Sequence, residues 1–256
     1  MTLTSWWEHF VNMHNAWPEH AFSCFVTGTD TEIGKTLVSS ALVYLQAQQG
    51  HRVAAMKPVA AGTEWRDGRW CNEDVDHLAA CVSVSLPQEV TTPYLFKAPA
   101  APHIAASMEN RAIDPLHILG CYEQVRAQAD AVVVEGVGGF CVPLNDSYDT
   151  ADMAKDLNLP VVLVVGMRLG CINQALLTSE AIAARGLKLM GWVANSVDPH
   201  MLYPQENIET IVRRINAPLL GTIPRLDVAN ASSAAAYLNF SDVGLNCYQR
   251  VEFFGF

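Results

Sequence analysis

Residues 26–36, VTGTDTEIGKT, set a glycine- and threonine-rich turn between a short apolar run and a helical pattern. The end of the stretch fits the phosphate-binding pattern G-x-x-x-x-G-K-[ST]. In such a loop backbone N–H groups surround phosphates, the lysine reaches the terminal phosphates and the hydroxyl ligates magnesium. The start departs from it: Thr29 stands where the first glycine is usual, and Gly28 lies one residue earlier. The stretch points to nucleotide binding through a variant loop.

Outward from this loop, six β-branched or apolar runs alternate with helical patterns: residues 22–26, 53–56, 131–134, 161–165, 189–194 and 219–223. This predicts an α/β fold, a mostly parallel sheet with helices on both faces. Val38, Ala41, Leu42 and Leu45 follow helical spacing and Gly50 supplies a stop, so a helix is expected over about 36–49. Ile118, Tyr122 and Val125, and Ile208, Ile211, Val212 and Ile215, mark two crossover helices. Residues 62–111, rich in Pro, acidic and small residues, are expected to form an irregular excursion with one short helix near 75–81. Residues 1–20 read as an extension, 21–228 as a single domain, and 229–256 as a tail packed on or near it.

Composition narrows the function. Half of the 256 residues are hydrophobic and 16% are charged, which excludes a disordered or coiled-coil chain. A net charge of -10 argues against a nucleic-acid surface, which needs a basic stripe. The seven cysteines, Cys24, Cys71, Cys81, Cys121, Cys141, Cys171 and Cys247, show no C-x-x-C pair, in keeping with reduced thiols in a cytoplasmic protein. The N-terminus lacks the pattern of a signal peptide and no run is long enough to span a membrane. Trp6, Trp7, Phe10 and Trp17 fit either a short amphipathic helix or a loosely ordered extension.

In an open parallel sheet, ligands bind outside the carboxyl ends of the strands. Polar and glycine-rich residues follow every expected strand: the loop, then Lys57 and Pro58, Glu135 with Gly136, Gly138 and Gly139, Gly166 with Arg168, Gly170 and Asn173, then Asn195, then Pro224 and Arg225. One composite site is expected. Lys35 is the phosphate lysine, and Thr36 is a magnesium ligand or a helix N-cap. Glu135 follows a valine run buried on both faces, so its charge needs a cation, magnesium being favoured. Lys57 suits transferred phosphoryl oxygens but also fits a strand-end surface lysine. Asp74 cannot be told from Glu73 and Asp76 by spacing. Gly170, Cys171, Ile172 and Asn173 open a helix whose free N–H groups can accept an anion, with Cys171 a packed small residue rather than a nucleophile. Asn195 suits an adenine edge or a strand-end turn.

Beyond these residues, the ordered set TGTDTEIGKT, KPVAAG, CNEDV, PHIAA, VEGVGG, LGCIN, GWVAN and PLLGTIP resembles the dethiobiotin synthetase family from about residue 21 to 226. The resemblance implies a P-loop NTPase-like homodimer that converts 7,8-diaminononanoate, CO2 and Mg-ATP into dethiobiotin, ADP and phosphate. It implies that Thr31, Glu32, Ile33, Gly34, Lys35 and Thr36 hold the triphosphate, and that Thr36, Asp74 and Glu135 ligate magnesium. Lys57, assisted by Lys35, would stabilise the carbamate and the transferring phosphoryl group. Ala61, Gly136, Val137 and Gly138 would face the substrate, and Gly170 to Asn173 would receive its carboxylate across the dimer interface. Asn195, Pro224, Arg225 and Leu226 would line the adenine pocket. Ala61, Arg168 and Asn207 depart from the residues such proteins often carry there, serine, lysine and an aromatic. A second enzyme class, amidotransferase-type synthases, usually carries a further glutaminase domain. A P-loop switch ATPase of the partitioning or targeting class is the alternative, though it usually has an additional early loop lysine and a basic membrane tail.

Overall fold

The computed structural model describes residues 22–240, so the N-terminal aromatic cluster and the segment VEFFGF lie outside the described residues. In chain order the elements are β1 (Ser23–Gly28), α1 (Lys35–Gln48), β2 (Val53–Met56), β3 (Val59–Ala61), β4 (Glu64–Arg66), β5 (Arg69–Cys71) and α2 (Glu73–Ala79). They continue as α3 (Gln88–Thr91), β6 (Tyr94–Phe96), α4 (Pro102–Met108), α5 (Pro115–Arg126), β7 (Ala131–Glu135) and α6 (Thr150–Leu157). The rest are β8 (Val161–Met167), α7 (Cys171–Ala184), β9 (Leu189–Ser196), α8 (Pro204–Arg214), β10 (Leu219–Ile223) and α9 (Ala231–Ala235).

The six expected runs form one sheet of order β10-β9-β8-β1-β7-β2. Every pairing in it is parallel, with Val26 beside both Glu135 and Val162. β1, β7 and β8 are buried on both faces, which is why their sequences are continuous apolar runs rather than alternating ones. Phe25, Val132 and Val134 pack on one face with Ile118, Tyr122 and Val125 of α5. Cys24, Val26 and Val133 face the opposite side with Val38, Ala41 and Leu42 of α1. Leu163, Val165 and Trp192 meet Ile208 and Ile211 of α8.

Local signals explain the helix limits. Gly50, at φ 84°, follows α1. There Gly50 N–H donates to Ala47 at 3.0 Å and His51 N–H to Gln46 at 3.2 Å, a Schellman ending. Asp114 caps α5 by accepting from Leu116 N–H, with a proline in the first turn.

The stretch 62–111 is more ordered than expected. β3 and β6 pair in parallel, and β4 and β5 form a hairpin. Asp67 and Gly68 turn it with φ of 50° and 79°, and Trp65 meets Trp70 edge to face at 5.2 Å. Asp-Gly between two short runs is a strong hairpin signal. The helix expected over 75–81 begins earlier, at Glu73, because Asn72 accepts from Val75 N–H and caps it. β9 runs through Ser196 and β8 through Met167, so Asn195 and Gly166 lie inside strands rather than after them. Beyond β10, α9 packs with the α1 face, and Asn239 N–H donates to Leu220 at 2.7 Å. Among the described residues, no helix is long and apolar enough to cross a membrane.

Candidate active site

The variant loop leaves β1 at Gly28 and enters α1 at Lys35. Two left-handed positions shape it, Glu32 at φ 58° and Gly34 at φ 85°. A Cβ at Gly34 would also collide with the Asn195 amide, so both backbone and space require glycine. Asn195 itself donates to the Ile33 carbonyl at 2.8 Å from within β9, which removes the strand-end turn alternative. The Ile33 side chain seats over Gly166 of β8, where any Cβ would collide with it. The sheet thus holds the loop from below at two points.

Lys35 Nζ donates to the Asp30 carbonyl at 2.8 Å. Burial, then the neighbouring Lys57 charge, lowers its pKa to about 8. Thr36 lies in the first turn of α1, and Gly34 takes the N-cap, so the N-cap alternative for Thr36 fails. The Thr36 hydroxyl lies 2.7 Å from Asp74 Oδ1 and 2.8 Å from Glu135 Oε1. A hydroxyl has one proton, so it can donate to only one of these carboxylates at a time.

Lys57 Nζ closes the cluster at 2.6 Å from Asp74 Oδ2 and 2.5 Å from Glu135 Oε1. Its side chain is 4% exposed and that of Glu135 is 0%, which excludes a surface lysine. Burial alone would lower the Lys57 pKa, but Glu135 and Asp74 outweigh it and hold it above the ordinary lysine value. At Asp74 burial acts upward, and Lys57 with the Thr36 hydroxyl overcomes it to hold the carboxyl below its usual range. The acidic run now separates: Asp76 pairs with Arg66 at 2.6 Å, Glu73 is exposed, and Asp74 faces Lys57 and Thr36.

Glu135 Oε2 is buried without a hydrogen-bond partner. A hydroxyl and two carboxylates, one with a buried oxygen to spare, suit a hard cation. Magnesium takes few protein oxygens and completes its shell from phosphates and water. Thr36, Asp74 and Glu135 therefore fit it.

The remaining candidates lie on other segments of the chain. Ala61 ends β3, and its carbonyl and that of Gly62 meet the amide of Asn72, the cap of the Asp74 helix. Gly136 lies against the Phe25 ring, and Gly138 is left-handed at φ 64°. Gly170 caps α7 at φ 96°, and Cys171, Ile172 and Asn173 form its first turn. One N–H expected to be free is engaged, since Cys171 donates to the Arg168 carbonyl at 3.0 Å. Cys171 is fully buried and burial pushes its thiol up, the opposite of an activated nucleophile. Pro224, Arg225 and Leu226 follow β10, with Arg225 donating to the Val197 carbonyl at 3.3 Å.

Asp30 was missed. Its Oδ1 accepts from Thr31 N–H at 2.7 Å and its Oδ2 pairs with Arg168, which ties the loop to the turn before α7. A carboxylate inside a phosphate loop was the available signal.

The chain is similar to known proteins over most of its length. A family model described as "AAA domain" matches residues 23–233. An ATP-dependent dethiobiotin synthetase BioD of Janthinobacterium sp. (strain Marseille) is 56% identical over 224 residues, covering 86% of this chain and 95% of the relative. The protein of the same name from Aromatoleum aromaticum is 56% identical over 214 residues, covering 84% and 95%. The chain belongs to the dethiobiotin synthetase family. Among solved structures, a ParA family ATPase from Chlorobium tepidum TLS aligns with a TM-score of 0.50 at 12% identity, covering 89% of this chain and 93% of the other. That likeness is one of fold alone, a mostly parallel sheet with helices, and does not favour the switch-ATPase alternative.

The lowered Lys35 pKa has a measurable sign. An unfolded chain binds this proton up to about pH 10.4, whereas the folded, nucleotide-free chain gives it up near pH 8, at a pKa of about 8. Stability should therefore rise between these pH values. Denaturant unfolding without nucleotide should show this rise, and Lys35→Met should remove it.

Proposed function

We propose that the chain is a Mg-ATP-dependent dethiobiotin synthetase, closing the ureido ring of dethiobiotin from 7,8-diaminononanoate and CO2 with release of ADP and phosphate. The observation that carries this is the buried Lys57 ammonium, 2.6 and 2.5 Å from the two carboxylates that also face the Thr36 hydroxyl. A cation for the transferring group and an oxygen set for magnesium meet at one point.

One amine of the diamine attacks CO2 and loses a proton to give a carbamate. A carbamate oxygen then attacks the γ-phosphorus and ADP leaves. The second amine attacks the resulting carbamic-phosphoric carbonyl, phosphate leaves and the ring closes. None of these steps needs a covalent bond to the protein, so the side chains act by positioning and charge.

Thr31, Glu32, Ile33, Gly34, Lys35 and Thr36 hold the triphosphate. Magnesium, when bound, screens phosphate oxygens, and Thr36, Asp74 and Glu135 would hold it. Lys57 and Lys35 present positive charge to the carbamate and the phosphoryl oxygens. Gly136, Val137 and Gly138 bring backbone close to the diamine, with Ala61 beside them. Asn195, Pro224, Arg225 and Leu226 line the adenine site, Asn195 by fixing Ile33 as well. Gly170, Cys171, Ile172 and Asn173 receive the substrate carboxylate of the partner protomer in a cytoplasmic homodimer. The exposed apolar side chains Leu169, Leu202 and Tyr203 support a protein contact on this side.

With Mg-ATP and bicarbonate, phosphate release should rise in proportion to added diaminononanoate, with the cyclic urea as product. Release indifferent to the diamine would favour a switch ATPase. Lys57→Ala should lose turnover far more than ATP affinity; equal loss of both would make Lys57 a general nucleotide-binding residue. Without metal and nucleotide, the same change should cost about 3–5 kcal/mol in unfolding, since it strands a buried carboxylate.

A further inference from the structure

A phosphate loop gathers N–H groups and a lysine around anionic oxygens, yet this one carries a carboxylate in its first half. Asp30 has a local use for that group. Its Oδ1 accepts from Thr31 N–H at 2.7 Å, and its carbonyl accepts from Lys35 Nζ at 2.8 Å. The side chain thereby shapes the turn that leads into left-handed Glu32. The same carboxylate places a negative charge beside the group that must meet a triphosphate, and its field reaches Lys35.

Two side chains from the turn after β8 and the first turns of α7 converge on the other oxygen. Arg168 forms an ion pair with Asp30 Oδ2, and Gln174 donates to the same atom at 3.4 Å. The ionic partners are 40% and 41% exposed, where an ion pair contributes little to folding. Stability does not explain why a cation from a separate element is brought to this oxygen. Charge balance at the phosphate site does.

We propose that Arg168 is a positioning and charge-compensating residue of the nucleotide site: it neutralises the loop carboxylate of Asp30 so that the loop keeps its Asp30-built shape without repelling the triphosphate. The inference rests on the assignment of the loop as the ATP site. Arg168 acts through Asp30.

The experiment is a double-mutant cycle on the full-length chain, read as ATP affinity by titration calorimetry with magnesium present. Arg168→Met should weaken ATP binding roughly tenfold, about 1.4 kcal/mol. Arg168→Lys, which keeps the charge, should restore most of it. Asp30→Asn keeps an acceptor for Thr31 N–H and removes the charge, so it should tighten binding. Combined with Arg168→Met it should return affinity to within about threefold of the unsubstituted chain. Circular dichroism melting of each variant separates misfolding from lost affinity, and the Asp30→Asn and Arg168→Lys results stand without Arg168→Met. A structural tie would behave differently: Asp30→Asn would weaken binding and the double variant would bind no better than Arg168→Met, which overturns the proposal. Unchanged affinity in Arg168→Met overturns it too. Failure of the unsubstituted chain to bind ATP would instead defeat the nucleotide-site assignment.

Discussion

Glu135 ends a strand of three consecutive valines with a side chain fully out of solvent, and its charge must be balanced where it stands. Lys57 from the end of β2 and the Thr36 hydroxyl from the start of α1 meet it there. Asp74 completes the set from α2. The segments around β1, β2 and β7 are thus tied at one buried carboxylate, with Asp74 joined through Lys57 and Thr36, and each must arrive in register. The parallel pairing of β2, β1 and β7 delivers them, since it sets their carboxyl ends on one edge.

That edge also explains the loop. Its backbone conformation is held from the sheet, by Asn195 on Ile33 and by Gly166 beneath the Ile33 side chain. A first glycine at position 29 is not what fixes the turn. Left-handed Glu32 and Gly34, with the Asp30 carboxylate on Thr31, do that work instead. The loop's departure from the usual pattern is therefore compensated by contacts within the loop and from the sheet.

Much of this was legible in the sequence because it rests on local rules. Valine runs reported strands buried on both faces, and Gly50 reported the end of α1. Lys35 stood out through the loop pattern, and Glu135 because a carboxylate after a buried valine run needs a charge partner. Asp74 did not, because three acids in a row look alike until folding sends Asp76 to Arg66 and Asp74 to Lys57. Asn195 was identified as a site residue, but its bond to Ile33 spans 162 residues and no local pattern encodes it. The Asp67–Gly68 hairpin is different. Its signal was present and was hidden by the irregular composition around it.

On this reading Lys57, Asp74, Glu135 and Thr36 form one phosphoryl-transfer centre. A crystal structure with diaminononanoate, magnesium and a non-hydrolysable ATP analogue tests it most directly. Oxygens of Thr36, Asp74 and Glu135 should surround the metal, with Lys57 Nζ on the oxygens of the terminal phosphate or the carbamate. A metal held elsewhere, or Lys57 remaining paired only with Asp74 and Glu135 while substrates are bound, would contradict it.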